Sequence, residues 1–176
     1  MPTKQPDAIA LLKADHRKVE GLFEQFEKAR SDGRKVALVK EICTELTIHT
    51  MIEEELFYPA CKGRIEADLL DEAYVEHDGA KMMIAQLLAG TPGADFYDAK
   101  VTVLSEEILH HVKEEEQPGE GMFAQARAAK IDMDALGAAM AARKEELKAK
   151  FEAEGLPAPL TRSFTASEVA LGEPVE

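Results

Sequence analysis

Tryptophan is absent from the chain, tyrosine occurs three times, and cysteine occurs twice. Basic residues are also scarce: 21 lysines and arginines stand against 34 acids, a formal charge of −13. A surface this negative repels phosphate, which excludes nucleic acid and anionic membranes as natural partners. No apolar run approaches the ~18 residues of a membrane span. The opening stretch, MPTKQPDAIALLKADH, has no apolar core of signal-peptide length before charges intervene. Cys43 and Cys61 fall 61 − 43 = 18 residues apart on or near one predicted helix, roughly 27 Å along it, and cannot pair if that helix is continuous. They are expected to be reduced, small buried hydrophobes in the cytoplasm. No segment carries a persuasive strand pattern.

What is present favours helix: alanine, leucine, glutamate and lysine dominate. From about Asp7 to Arg30, Leu12, His16, Val19, Phe23 and Phe26 recur at helical spacing. SDGR (31–34) reads as a turn. A second segment, about Lys35 to Tyr58, carries Ile42, Leu46, His49, Glu53 and Leu56, and Pro59 ends or kinks it. A third runs from about Ala67 to Ala89 with Leu70, Ala73, His77, Ala80, Ile84 and Leu87 on one face. A fourth runs from about Asp95 to Glu116 with Val101, Leu104, Ile108, His111 and Glu115. A shorter helix near Met122–Ala129 and another from Asp132 to Glu154 follow. The remainder from Gly155 has prolines and no amphipathic period, and reads as a mobile tail or a surface strap. The expected fold is all-α: an up-down antiparallel four-helix bundle over residues 1–130, an additional C-terminal helix over 131–154, and a tail over 155–176.

Each of the four stripes is interrupted by a histidine: His16, His49, His77 and His111. On the second and fourth it is followed one turn later by an acid, Glu53 and Glu115. A spacing of four keeps both side chains on one face, about 6 Å apart. A buried polar group without a partner costs roughly 1–3 kcal/mol. Six scattered separately make a poor core, whereas six gathered at one level can hold metal. Imidazole suits iron, zinc, copper and nickel, and a carboxylate between two imidazole-bound metals suits a bridged pair, usually iron or manganese. No cysteine falls on a stripe, which argues against iron–sulfur or structural zinc sites.

In these residues the chain resembles the hemerythrin-like, HHE cation-binding family. The matching motifs are ADH (His16), HTMIE (His49, Glu53), EHD (His77) and HVKEE (His111, Glu115), over roughly residues 7 to 125. The resemblance implies a four-helix bundle around a non-haem di-iron centre with an oxo or hydroxo bridge. Glu53 and Glu115 would bridge the irons, and His16, His49, His77 and His111 would complete the protein ligation. Zinc or manganese are possible substitutes. Oxygen carriers of that family place a second histidine one turn from the one on helix three. This chain has Ala73 and Lys81 there. Two octahedral irons offer ~12 positions, of which about ten are then filled. Glu76, Tyr74 and His110 are the candidates for a seventh ligand.

Three functions follow as expectations. The first is binding of dioxygen or another diatomic gas such as nitric oxide, for sensing, scavenging or delivery, without a defined turnover. The second is redox turnover of peroxide or nitric oxide, or iron donation to damaged centres, with a possible protein redox partner. The third is a metal-free interaction module. The remaining members of the Glu53–Glu55 and Glu114–Glu116 runs are expected on the solvated face, and His110 on an outer face about 100° from His111. Asp15 and Asp78 are candidates for accepting from another helix's imidazole.

Overall fold

Four long helices follow one another antiparallel and close into a ring, in a computed structural model that describes residues 6–164. They are α1 (Ala8–Lys28), α2 (Asp32–Ile52), α4 (Ala67–Ala89) and α5 (Tyr97–Glu116). Contacts run α1 to α2, α2 to α4, α4 to α5 and α5 back to α1. Between α2 and α4 lie a five-residue π-helical turn, Glu53–Phe57, and one further α-turn, α3 (Tyr58–Cys61). After the ring come α6 (Met122–Ala128) and α7 (Met133–Glu154).

The helix starts follow capping chemistry. Asp7 accepts from the backbone of Ala10 at 2.8 Å, and Asp132 accepts from Ala135 at 3.0 Å. Ser31 caps α2, so SDGR is not a free turn: its last three residues already belong to the helix. Ser31 and Asp32 satisfy and complement the helix N-terminus, which outweighs the cost of Gly33 in the first turn.

α7 packs against α1 and α2, and one glycine permits the approach. A Cβ at Gly137 would lie 2.6 Å from the Ala8 nitrogen and 2.7 Å from the Pro6 oxygen. Beyond α7 the chain turns back at Gly155 (φ 82°) and crosses towards α4. There Asp78 accepts from the Arg162 nitrogen at 2.7 Å, the Ser163 nitrogen at 2.6 Å and the Ser163 hydroxyl at 2.7 Å. The expected tail is thus a tethered strap as far as Phe164, and its last twelve residues, 165–176, lie outside the described residues.

The interior is divided. One apolar cluster holds Leu12, Ile48, Ile52, Phe57, Leu70, Phe123 and Met140. The other holds Val19, Phe23, Leu38, Ile42, Leu46, Ile84, Leu104 and Ile108. On α1 and α4 the histidine of the stripe falls between the two clusters, whereas α5 contributes buried apolar residues to the second cluster alone. Cys43 belongs to the second cluster and Cys61 to the first, both free. Burial pushes each thiol up to about 12. Among the described residues no helix is long and apolar enough to cross a membrane.

Candidate metal centre

Helical periodicity places all six predicted side chains at one height, and all six are buried: His16, His49, Glu53, His77, His111 and Glu115. The histidines form two pairs. His16 and His49 face each other with Nε2 atoms 3.2 Å apart, and so do His77 and His111. The carboxylates join the pairs. Glu53 Oε2 lies 3.2 Å from His49 Nε2 and 3.3 Å from His77 Nε2. Glu115 spans the other diagonal, with Oε2 3.4 Å from His16 Nε2 and Oε1 3.5 Å from His111 Nε2. Ligands about 2.0–2.2 Å from one ion and at right angles lie about 3 Å apart, so these separations suit edges of coordination polyhedra.

The outward nitrogens meet a second layer. His16 Nδ1 lies 2.7 Å from Glu116, His77 Nδ1 3.0 Å from Glu54, and His111 Nδ1 2.6 Å from Glu76. His49 Nδ1 stands 3.6 Å from Asp15. A carboxylate only accepts, so each bonded Nδ1 donates, and a neutral ring then turns a bare Nε2 lone pair inward. The pattern is cyclic. α1 supplies Asp15 to α2, the π-turn supplies Glu54 to α4, α4 supplies Glu76 to α5, and α5 supplies Glu116 to α1. Each acid adjoins a cage residue in sequence, so it points about 100° round its helix, towards the neighbour. Glu54 and Glu116 therefore leave the solvated face expected of them. Asp15 stands beside the anticipated imidazole, but at 3.6 Å it makes no hydrogen bond to His49, and Asp78 serves no imidazole because it holds the strap.

Proton affinities follow from the charges. Burial opposes charge on His49, but Glu53 and Asp15 outweigh it and raise the imidazole to about 10. His111 rises to about 9 against the same burial, through Glu115, Glu76 and Glu53. Burial alone would raise Glu53, yet His49 and His77 hold its carboxyl well below the usual range.

A seventh group enters the cage that the sequence pattern does not indicate. The Tyr58 hydroxyl lies 3.1 Å from His77 Nε2, 3.3 Å from Glu115 Oε1 and 3.4 Å from Glu53 Oε2. Burial and then the two carboxylates push its phenol well above the ordinary range, so the proton stays on. The π-turn puts it there. The Tyr58 N–H donates to the Glu53 carbonyl five residues back, and the widened turn rotates Phe57 and Tyr58 inward while Leu56 leaves the buried stripe. Pro59 supplies a reason, since its ring clashes with the carbonyl four residues before it and it has no N–H to donate. None of the three anticipated seventh groups is in the cage. Glu76 holds His111, Tyr74 packs on Tyr58 and under Arg162, and His110 is exposed beside Glu114.

The cage fits a pair of cations. Glu53 Oε1 and Glu115 Oε2 are buried and accept no hydrogen bond. Four nitrogens and two carboxylates without a thiolate suit the borderline divalent metals. Two sets of donor atoms converge, His16, His49, Glu53 and Glu115 in one and Glu53, His77 and His111 in the other.

Comparison with known proteins agrees. The family described as hemerythrin HHE cation binding domain matches residues 7–118. An uncharacterised protein of Mycobacterium tuberculosis is 28% identical over 144 residues, 81% of this chain and 88% of that protein. A DNA nickase of Nostoc sp. is 27% identical over 106 residues, 60% of this chain but only 30% of that protein. The crystal structure of a hemerythrin HHE cation binding domain-containing protein from Mycobacterium kansasii superposes with TM-score 0.70 at 25% identity, over 86% of this chain and 95% of the other.

Proposed function

The chain belongs to the hemerythrin HHE cation-binding domain family, and from that premise we propose that its cage holds two iron ions and binds dioxygen or another diatomic gas, such as nitric oxide. The observation that carries this reading is the pair of buried, hydrogen-bond-deficient carboxylates, each reaching both histidine pairs. Iron held by these six side chains would supply one-electron redox chemistry towards a small ligand. The protein does the rest. Glu54, Glu76 and Glu116 fix three imidazole orientations. Phe123 stacks on His16 with ring centroids 5.8 Å apart, and Phe57 packs edge-on to Phe123, excluding water on that side. The unpaired thiols fit a reducing, cytoplasmic setting.

The test is iron quantitation with an absorption spectrum of the oxidised protein. About two irons per chain and charge-transfer bands that zinc cannot produce are expected. A chain that takes up no iron on anaerobic reconstitution rejects the reading.

A second reading, turnover of peroxide or nitric oxide with a redox partner, is favoured by Tyr58, a protonated hydroxyl inside the cage. Such reductions consume protons, and this phenol is placed to hold or deliver one. Tyr58→Phe separates the readings: gas binding survives it, while turnover with peroxide falls at least about tenfold. The buried orphan oxygens count against a metal-free module. The net charge of −13 counts against a nucleic-acid substrate.

A further inference from the structure

A groove opens on the side of the bundle that the strap crosses. Its wider part, about 510 Å³, lies between α2, α4, the end of α7 and the strap, with Met51, Ile84, Ala85, Phe151 and Leu160 among its walls. A second cavity of about 330 Å³ shares Leu88 and Leu156 with it and continues past Val36 and Leu87 to Tyr97. The two form one elongated apolar groove, each part within the roughly 300–1,000 Å³ of small-molecule sites. Most polar groups in its walls are already satisfied. The Thr47 and Thr50 hydroxyls donate to the carbonyls of Cys43 and Thr47, and that of Thr161 donates to Phe164. Arg143 holds Glu55 at 2.7 Å, and Lys81 holds Glu54 at 2.7 Å. Two cations remain at the wider end. Lys150 is exposed and enters no ion pair among the described residues. The Arg162 guanidinium lies over the Tyr74 ring, with Nε no closer than 3.7 Å to Glu54. On a chain of net charge −13, the mouth of this groove is locally positive.

We propose that the groove binds a fatty carboxylate: one unbranched alkyl chain along Ile84, Leu88 and Leu156, with its carboxylate between Lys150 and Arg162. Long apolar walls with internally satisfied hydroxyls suit a hydrocarbon and offer a polar body nothing to bond. Burial of the chain supplies affinity, and charge-assisted hydrogen bonds at the mouth fix its direction. The strap forms one wall, so an occupant also holds the strap against the bundle. The site stands whether or not the cage holds metal.

The test is calorimetric titration of the full chain with dodecanoate below its micelle concentration, beside dodecyltrimethylammonium, which has the same alkyl chain and the opposite charge. One dodecanoate per chain is expected, with slower trypsin cleavage after Arg162 and at least about tenfold weaker binding of the ammonium. Lys150→Glu, at the mouth, and Leu88→Asp, at the position shared by both cavities, should each weaken dodecanoate binding at least about tenfold. Both residues are exposed, so the fold does not depend on them. Lys28→Glu, on α1 and outside both cavities, controls for net charge and should bind like the wild type. No saturable binding, equal binding of the ammonium, wild-type binding by either groove variant, equal loss in the control, or binding that leaves the strap as open to trypsin as before overturns the proposal. A dimer that Leu88→Asp dissociates, with no dodecanoate bound, gives the groove to a second copy and overturns it too.

Discussion

At the scale of residues, the cage is a set of charges that balance only in combination. His49 and His111 titrate near 10 and 9 in the metal-free protein, above the ordinary 6.5, so both carry protons at neutral pH. Their contribution to folding is full below about 6.5 and is lost as pH rises through those values. Metal needs the same nitrogens bare. Loading at pH 7 should therefore release protons, and apparent affinity should climb between pH 7 and 9; a pH indicator with metal titration measures both. Glu53→Ala or Glu115→Ala removes one of the two carboxylates that, among the described residues, reach both histidine pairs, and iron content in each should fall well below that of the wild type. Wild-type iron content in both variants refutes their role. These six positions were legible because each falls on an apolar stripe. Of the outer acids only Asp15 was anticipated beside a neighbouring imidazole; Glu54, Glu76 and Glu116 were not, because a residue adjacent to a cage member faces whichever helix packs next to it, and sequence does not state ring order.

At the scale of elements, two local departures from regularity position the chemistry. The π-turn was illegible for a physical reason: periodicity counts 3.6 residues per turn, and one wider turn shifts everything downstream. Glu53 was found and Tyr58, five residues on, was missed. The second departure is the crossing of α7 over the start of α1, where a methyl group has no room against backbone. Gly137→Ala should lower stability by about 1–3 kcal/mol, measured by denaturant unfolding, despite alanine's better helix propensity. A neutral or stabilising result would mean that α7 can shift away at little cost.

At the scale of the whole molecule, the strap ties the C-terminal segment to the bundle beside the cage. Asp78 is buried, which alone would raise its carboxyl. The Arg162 and Ser163 donors together with Lys81 instead lower it from 3.8 to about 2. That contribution is complete above about pH 4 and is lost as pH falls through 2. Asp78→Asn should cost about 1–3 kcal/mol of strap attachment and speed trypsin cleavage after Arg162. Equal cleavage rates would show that the tether is idle. The strap's polar anchor gives no periodic signal, so only its lack of helix could be read from sequence.

The split interior has a further meaning for assembly. With an oily storey above the cage and another below, the scaffold has two places to gain cohesion before any cofactor arrives. Shape first and cargo second is the order such an architecture permits, and it leaves filling the middle floor as a separate, later event.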